Sequence, residues 1–359
     1  MRENFKDVGY IIVRAKFCAK INSLATTPFH LLPETMAARK LDGSKVNKLV
    51  IQEVSQQVEA LKQMYNAMPG LAVVSCGSRP DSEVYMAKKV KLASELGISC
   101  KIFRVEEQSC PETTTDSLIE EVQRLKCESA VHGIIVQLPL PHGVHTSRVI
   151  EAIHHKKDAD AVSVFWQGRP SSGEGDDPKG YGGFTLSPCT PRGIMELLNR
   201  YDITLLGKCA VVIGQSQSVG LPMALMLERR LATATSCSVH TSNLMDAFRG
   251  ADIVVACAGK RGLVRQDCLK PHALVVDVGI HVVKEGEKQR IMGKVEPGAS
   301  STASYLTFVP GGVGPMTVAM MMANTVQLSS MMQPAVLDIS SVAGACLLAH
   351  PSRLIREAF

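Results

Sequence analysis

From residue 70 onward the chain alternates short apolar runs with longer stretches of helical periodicity. "GLAVVSCG" precedes "SEVYMAKKVKLASELGI", "SCKIFRV" precedes "TDSLIEEVQRLKC", and "VHGIIVQLPLP" precedes "SRVIEAIHHKK". Runs of this kind suit strands covered on both faces, and helical connections of roughly a dozen residues are what parallel neighbours require. A polar stretch, "RPSSGEGDDPKGYGG" at 169–183, breaks the pattern and reads as a surface loop or linker. The alternation restarts with "KCAVVIGQSQSVGLPMALML", "TATSCSVH", "ADIVVACAG" and "HALVVDVGI", which predicts a second parallel sheet. With 359 residues, the expected class is α/β in two domains, each large enough to bury a core.

Composition narrows the partners. No apolar run reaches the roughly 18 residues that span a bilayer. The net charge of +5 is spread along the chain and aromatics make up only 4%, so a small anionic ligand is expected and a polynucleotide is not. Eleven cysteines form no C-x-x-C pair or zinc-type cluster, which predicts reduced thiols and no metal site. Residues 1–35 lack clean periodicity and read as an extension, either disordered or an upstream-start artefact that is not native. Their Arg14, Lys16 and Lys20 suit a mitochondrial presequence, whereas Glu3 and Asp7 do not; the expected location is cytoplasmic, or mitochondrial if the extension is a presequence. From Met36, "MAARKLDGSKVNKLVIQEVSQQVEALKQM" has the spacing of an amphipathic helix.

Several segments have the makings of a site. In "DSEVYMAKKVK", Ser82, Tyr85 and Lys89 fall on one helical face and Lys91 turns away. A lysine partly stripped of water there has its pKa lowered toward general-base duty, although the same spacing suits an ordinary helix with a solvated lysine. Gln137 interrupts an apolar run and needs a partner or a ligand, because an unpaired buried amide costs about 1 to 3 kcal/mol. Asp158 and Asp160 in "KKDADAV" read by themselves as a solvated turn. Gly214 and Gly220 lie between an apolar run and a helical stretch, an arrangement that seats phosphate on a helix N-terminus, although the spacing is not G-x-G-x-x-G. "PGGVGPMTVAMMM" reads as a ligand-sized loop or a plain tight turn opening a helix.

Taken in order, "SEVYMAKKVK", "VHGIIVQLPLP", "KDAD", "PCTPRG", "GQSQSVGLP", "ADIVVACAG", "VVDVGI" and "VPGGVGPMT" resemble the bifunctional methylenetetrahydrofolate dehydrogenase/methenyltetrahydrofolate cyclohydrolases. The resemblance implies a folate-binding catalytic domain over 36–185, completed by 308–330, and a Rossmann-like NAD(P)-binding domain over 186–307, with a cleft between them. Residues 331–359 are left as a C-terminal extension. It implies oxidation of 5,10-methylenetetrahydrofolate to the 5,10-methenyl form, hydrolysis to 10-formyltetrahydrofolate for one-carbon metabolism and purine biosynthesis, and a homodimer acting on folates that include polyglutamylated ones. Carried over by motif, Lys89 is the cyclohydrolase lysine, Tyr85 its partner stacked on the pterin, Gln137 the residue that fixes the lysine, and Asp160 the pterin anchor. Pro310, Gly311 and Gly312 would line the cleft. Gly214, Gln215, Ser216, Val219, Gly220, His240, Thr241, Gly259, Gly279 and Ile280 would bind NADP, or NAD.

The departures from that pattern cluster on the dinucleotide side. Gln215 stands where the family has an arginine for the 2′-phosphate, Val239 and His240 replace a serine and a basic residue, and Lys294 replaces the aspartate of G-D-V. Arg229, Arg230 and His240 are expected near the second strand as substitutes for the missing arginine. An alternative reading is a folate-binding homologue with a weakened dinucleotide site, acting mainly as a cyclohydrolase. A dehydrogenase of amino or hydroxy acids would need a base in the second domain, and none has supporting spacing.

Overall fold

The first sheet is small and wholly parallel, in the order β3-β2-β4, built from β2 (Gly70–Cys76), β3 (Ser99–Val105) and β4 (Gly133–Val136). Every residue of β2 and β4 is buried, as continuous apolar runs require when helices cover both faces. The computed structural model describes residues 37–167, 186–258, 261–279, 281–285 and 288–333. The N-terminal extension, the polar stretch at 169–183 and the chain beyond 333 therefore lie outside the described residues. Those from Ala38 onward belong to one unit.

Helices α1 (Gly43–Tyr65), α2 (Pro80–Glu95) and α3 (Pro111–Cys127) alternate with these strands. Proline opens both α2 and α3, where its missing N–H leaves no hydrogen bond unmade. A short α4 (Thr146–Glu151) follows β4, and α5 (Cys189–Arg200) leads into the second half.

The second sheet has six strands, all parallel: β5 (Cys209–Ile213), β6 (Thr233–Cys237), β7 (Ile253–Ala256), β8 (Leu274–Asp277), β11 (Tyr305–Thr307) and β1 (Arg39–Leu41). Helices α6 (Gly220–Glu228) and α7 (Leu244–Gly250) make the first two crossovers, and an antiparallel hairpin, β9 (His281–Glu285) with β10 (Lys288–Met292), follows β8. The order β1-β11-β8-β7-β5-β6 reverses at β5, as the order β3-β2-β4 reverses at β2. Ligands of such sheets bind beyond the strand ends at the reversal.

Two elements tie the halves together. Residues 39–41, read from sequence as the start of a helix, form β1 beside β11; α1 begins only at Gly43, where Asp42 Oδ1 accepts the Lys45 N–H at 3.1 Å. The last helix, α8 (Val313–Met331), returns from β11 and packs on α1 and α5. Its Met316, Met320, Met321 and Met322 are buried in the core that both halves share. Among the described residues no helix is long and apolar enough to cross a membrane.

Candidate functional site

The two reversal points open on one cavity of about 650 Å³. From the first half it is lined by Tyr85 and Lys89 of α2, by Gln137 just past β4, and by Asp160. Ser218 and Val219 beyond β5, Cys257 beyond β7 and Val278 beyond β8 line it from the second sheet. Thr317 and Met321 of α8 and Cys189 and Thr190 of α5 complete the wall.

Lys89 is the chemical centre of the first wall. Only 7% of it is exposed, and its ammonium donates to Gln137 Oε1 at 2.9 Å. Gln137 gives its own Nε2–H to the Leu138 carbonyl at 2.8 Å, so an amide in an apolar run is paired on both sides. Burial holds the Lys89 pKa below its ordinary value, opposed chiefly by the Asp160 carboxylate. Burial likewise raises the Asp160 carboxyl, while the Lys89 charge and a hydrogen bond with the Cys189 thiol pull it back down. Burial thus favours the neutral form of each group, and the attraction between lysine and carboxylate offsets part of that effect. Ser82, on the same helical face, is not part of the lining, and Lys91 points to solvent beside Glu95.

The turn before α5 is a buried polar junction that the sequence reading passed over. Asn324 of α8, fully buried, donates to the Ala159 carbonyl at 2.8 Å and to the Ser187 carbonyl at 3.2 Å, and its Oδ1 accepts from Arg192. Cys189 Sγ also meets the Ala159 carbonyl, at 3.3 Å. The "KDAD" turn is accordingly packed, and Asp158 is fully buried with the Ser163 N–H on its Oδ2. The quoted "PCTPRG" motif pointed to Cys189 and Thr190. Nothing local in the sequence pointed to Asn324.

The second wall tests whether a dinucleotide fits. Gly214 follows β5 with φ at +113°, and a Cβ there would lie 2.8 Å from that of Ala258; a Cβ on Gly220 would lie 1.8 Å from the Gly214 carbonyl oxygen. Bare backbone thus connects a strand to the N-terminus of α6, the shape that receives a pyrophosphate. Gln215 and Ser216 stand exposed on this turn, and Val219 reaches the cavity wall. His240 and Thr241 follow β6, and Gly279 follows β8; Gly259 and Ile280 lie outside the described residues.

Two groups stand apart from this lining. Arg229 and Arg230 follow α6 and precede β6, at the opposite end of that strand from His240, so they are not on the edge where the cavity opens. Arg230 is instead within 3.5 Å of Asn199 Oδ1. Pro310, Gly311 and Gly312 are not among the lining residues; Val313 and Gly314 are. The two glycines suit the local backbone: Gly311 has φ at +102°, and a Cβ on Gly312 would lie 2.8 Å from the Phe308 carbonyl oxygen. Their carbonyls face the start of α1: that of Gly311 accepts the Ser44 N–H at 2.9 Å, and a Cβ on Gly43 would lie 1.7 Å from that of Gly312.

Comparison with known proteins agrees with this architecture. Residues 41–160 match the tetrahydrofolate dehydrogenase/cyclohydrolase catalytic domain, and residues 188–333 match the NAD(P)-binding domain of the same family. The bifunctional protein FolD of Acetivibrio thermocellus is 39% identical over 297 residues, 82% of this chain and 98% of that protein. The FolD methylenetetrahydrofolate dehydrogenase/cyclohydrolase of Campylobacter jejuni superposes with a TM-score of 0.73 at 36% identity, over 82% of this chain and 99% of its own. That of Trypanosoma brucei, solved with NADP cofactor and inhibitor, gives 0.75 at 35% identity, over 82% and 98%. With two sheets facing one cavity, and with matches that run through both halves, the chain belongs to the tetrahydrofolate dehydrogenase/cyclohydrolase family.

Proposed function

We propose that this cavity oxidises 5,10-methylenetetrahydrofolate with a nicotinamide dinucleotide and hydrolyses the methenyl product to 10-formyltetrahydrofolate, with the folate held in one pose for both steps. The observation that carries this reading is the joint lining: a buried lysine paired to a glutamine faces the strand ends of a dinucleotide-type sheet across one space.

In this reading Asp160 accepts hydrogen bonds from the 2-amino-pyrimidine edge of the pterin and Tyr85 covers the ring face. Lys89 moves the proton of the water that attacks the methenyl bridge, and Gln137 keeps its ammonium aimed there. A bound dinucleotide supplies the hydride acceptor. The protein contributes juxtaposition to that step and no acid or base, because the nitrogen beside the bridge stabilises the cation left behind. Gly214, Gln215, Ser216, Val219 and Gly220 cradle the pyrophosphate side, with His240 and Thr241 beyond β6.

We place NADP ahead of NAD, with a small margin. The T. brucei relative was solved with NADP, but Gln215 offers a 2′-phosphate only neutral hydrogen bonds, and His240, just beyond β6, is a basic group that could partly replace an arginine there. Gln215→Arg should strengthen NADP binding by about 1 to 3 kcal/mol, read from Kd for both dinucleotides. We further propose a homodimer, polyglutamylated folates among the substrates, and a reducing compartment such as the cytoplasm, which the free cysteines among the described residues support.

The deciding experiment is a spectrophotometric assay with methylenetetrahydrofolate and either dinucleotide, following methenyl formation and decay. Absence of both signals from folded protein overturns the reading.

A further inference from the structure

The turn after β10 carries a lysine where little water reaches. Lys294 is 9% exposed, and its ammonium donates to the Cys257 carbonyl at 2.6 Å. Its stem fills the space beside Gly279, where a Cβ would lie 2.3 Å from Lys294 Cγ. The side chain is therefore held between the segments that follow β7 and β8. Cys257 and Val278, from those same segments, form part of the cavity wall.

Nearby groups leave this charge only partly offset. Asp277 accepts the Gly279 N–H on Oδ1 and the N–H groups of Lys294 and Val295 on Oδ2, so backbone, and not the ammonium, fills its oxygens. The Cys257 thiol, pushed up to about 12 by burial, is neutral. Burial lowers the Lys294 pKa, and the Asp277 charge opposes that.

Resting on the dinucleotide reading above, we propose that Lys294 sets the relative affinity of the site for the two redox forms of its cofactor. Hydride transfer requires the reacting rings to meet, so the nicotinamide end belongs in the shared cavity, whose second-sheet wall includes Cys257 and Val278. An oxidised nicotinamide ring is cationic and a reduced one is neutral. An ammonium directly behind that wall repels the first and is indifferent to the second. In the absence of folate, binding is thereby biased toward the reduced dinucleotide.

The test is binding without folate: titration calorimetry for the oxidised dinucleotide and nicotinamide fluorescence for the reduced one, on unmodified protein, Lys294→Gln and Lys294→Arg. The ratio of the oxidised to the reduced Kd should fall about tenfold in Lys294→Gln, the scale of one partly screened charge, and stay near its original value in Lys294→Arg. Should Lys294→Gln not fold, Lys294→Met takes its place with the same expectation. An unchanged ratio, or equal weakening of both forms, overturns the inference and leaves Lys294 a packing residue. Failure of the unmodified protein to bind either form overturns the dinucleotide reading itself.

Discussion

Lys89 lies between two opposing influences, burial that lowers its pKa and the Asp160 charge that raises it. Only the neutral amine can take a proton from water, and its fraction grows with pH. A depressed pKa shifts that growth to lower pH, so cyclohydrolase activity should climb with pH to an inflection below the ordinary lysine range. Lys89→Met should abolish this limb and the hydrolysis, leave substantial dehydrogenase activity, and let methenyl product accumulate; equal loss of both activities in folded protein would count against the assignment. Asp160→Ala should weaken folate binding by about one to two decades, since hydrogen bonds to a charged group contribute about 1.5 to 3 kcal/mol. Asp158 is a separate case. Burial pushes its carboxyl up to about 6, and its Oδ1 has no hydrogen-bond partner among the described residues. A folded pKa above the unfolded one means that stability is lost as pH rises from about 4 to about 6 and is level above that. Asp158→Asn removes this titration. Its unfolding free energy relative to the unmodified protein should gain about 2 to 3 kcal/mol between pH 4 and pH 7, whatever constant offset the amide adds. A flat difference in denaturant melts would show that Asp158 does not titrate differently in the folded state.

Among the elements, α8 and α1 meet through backbone. Because the atom facing Gly43 is the Gly312 carbonyl oxygen, at 1.7 Å from where a Cβ would sit, no rotamer change can relieve the clash. Gly43→Ala should therefore destabilise the protein by about 3 kcal/mol, whereas Gly250→Ala, with nothing within 4 Å, should change stability little. Comparable urea midpoints for the two variants would argue against the close approach.

For the whole molecule, β1 and α8 make each half depend on the other. β1 precedes α1 yet pairs in the six-stranded sheet, and α8 follows β11 of that sheet yet packs on α1 and α5. Thermal unfolding should be one calorimetric transition, and a dinucleotide at about 100 times its Kd should raise the stability of all of it by about 2.7 kcal/mol. Two separable transitions, with only one shifted by the ligand, would mean that the halves fold independently.

Period and punctuation in the chain were enough to establish two parallel sheets, seven of their strands between Gly70 and Asp277, and the helical face that holds Tyr85 and Lys89, because these depend on neighbours two to four residues away; the hairpin β9–β10, the short β11 and the helices α5 and α7 were not read. Motif order was enough to place the family. What the tertiary structure alone decided lies at long separation. Residues 39–41 are a strand because β11 offers them an unpaired edge more than 260 positions along the chain. The bond from Lys89 to Gln137 spans 48 residues and that from Asn324 to Ala159 spans 165, so neither could be seen in any local window. Arg229 and Arg230 looked close to His240 in sequence, yet a strand carries the chain to its other end between them. Lys294 looked like a simple departure from G-D-V, and only the fold set its ammonium against the Cys257 carbonyl. Local periodicity reports which face of an element is apolar; which charge meets which carbonyl is settled when the crossovers close.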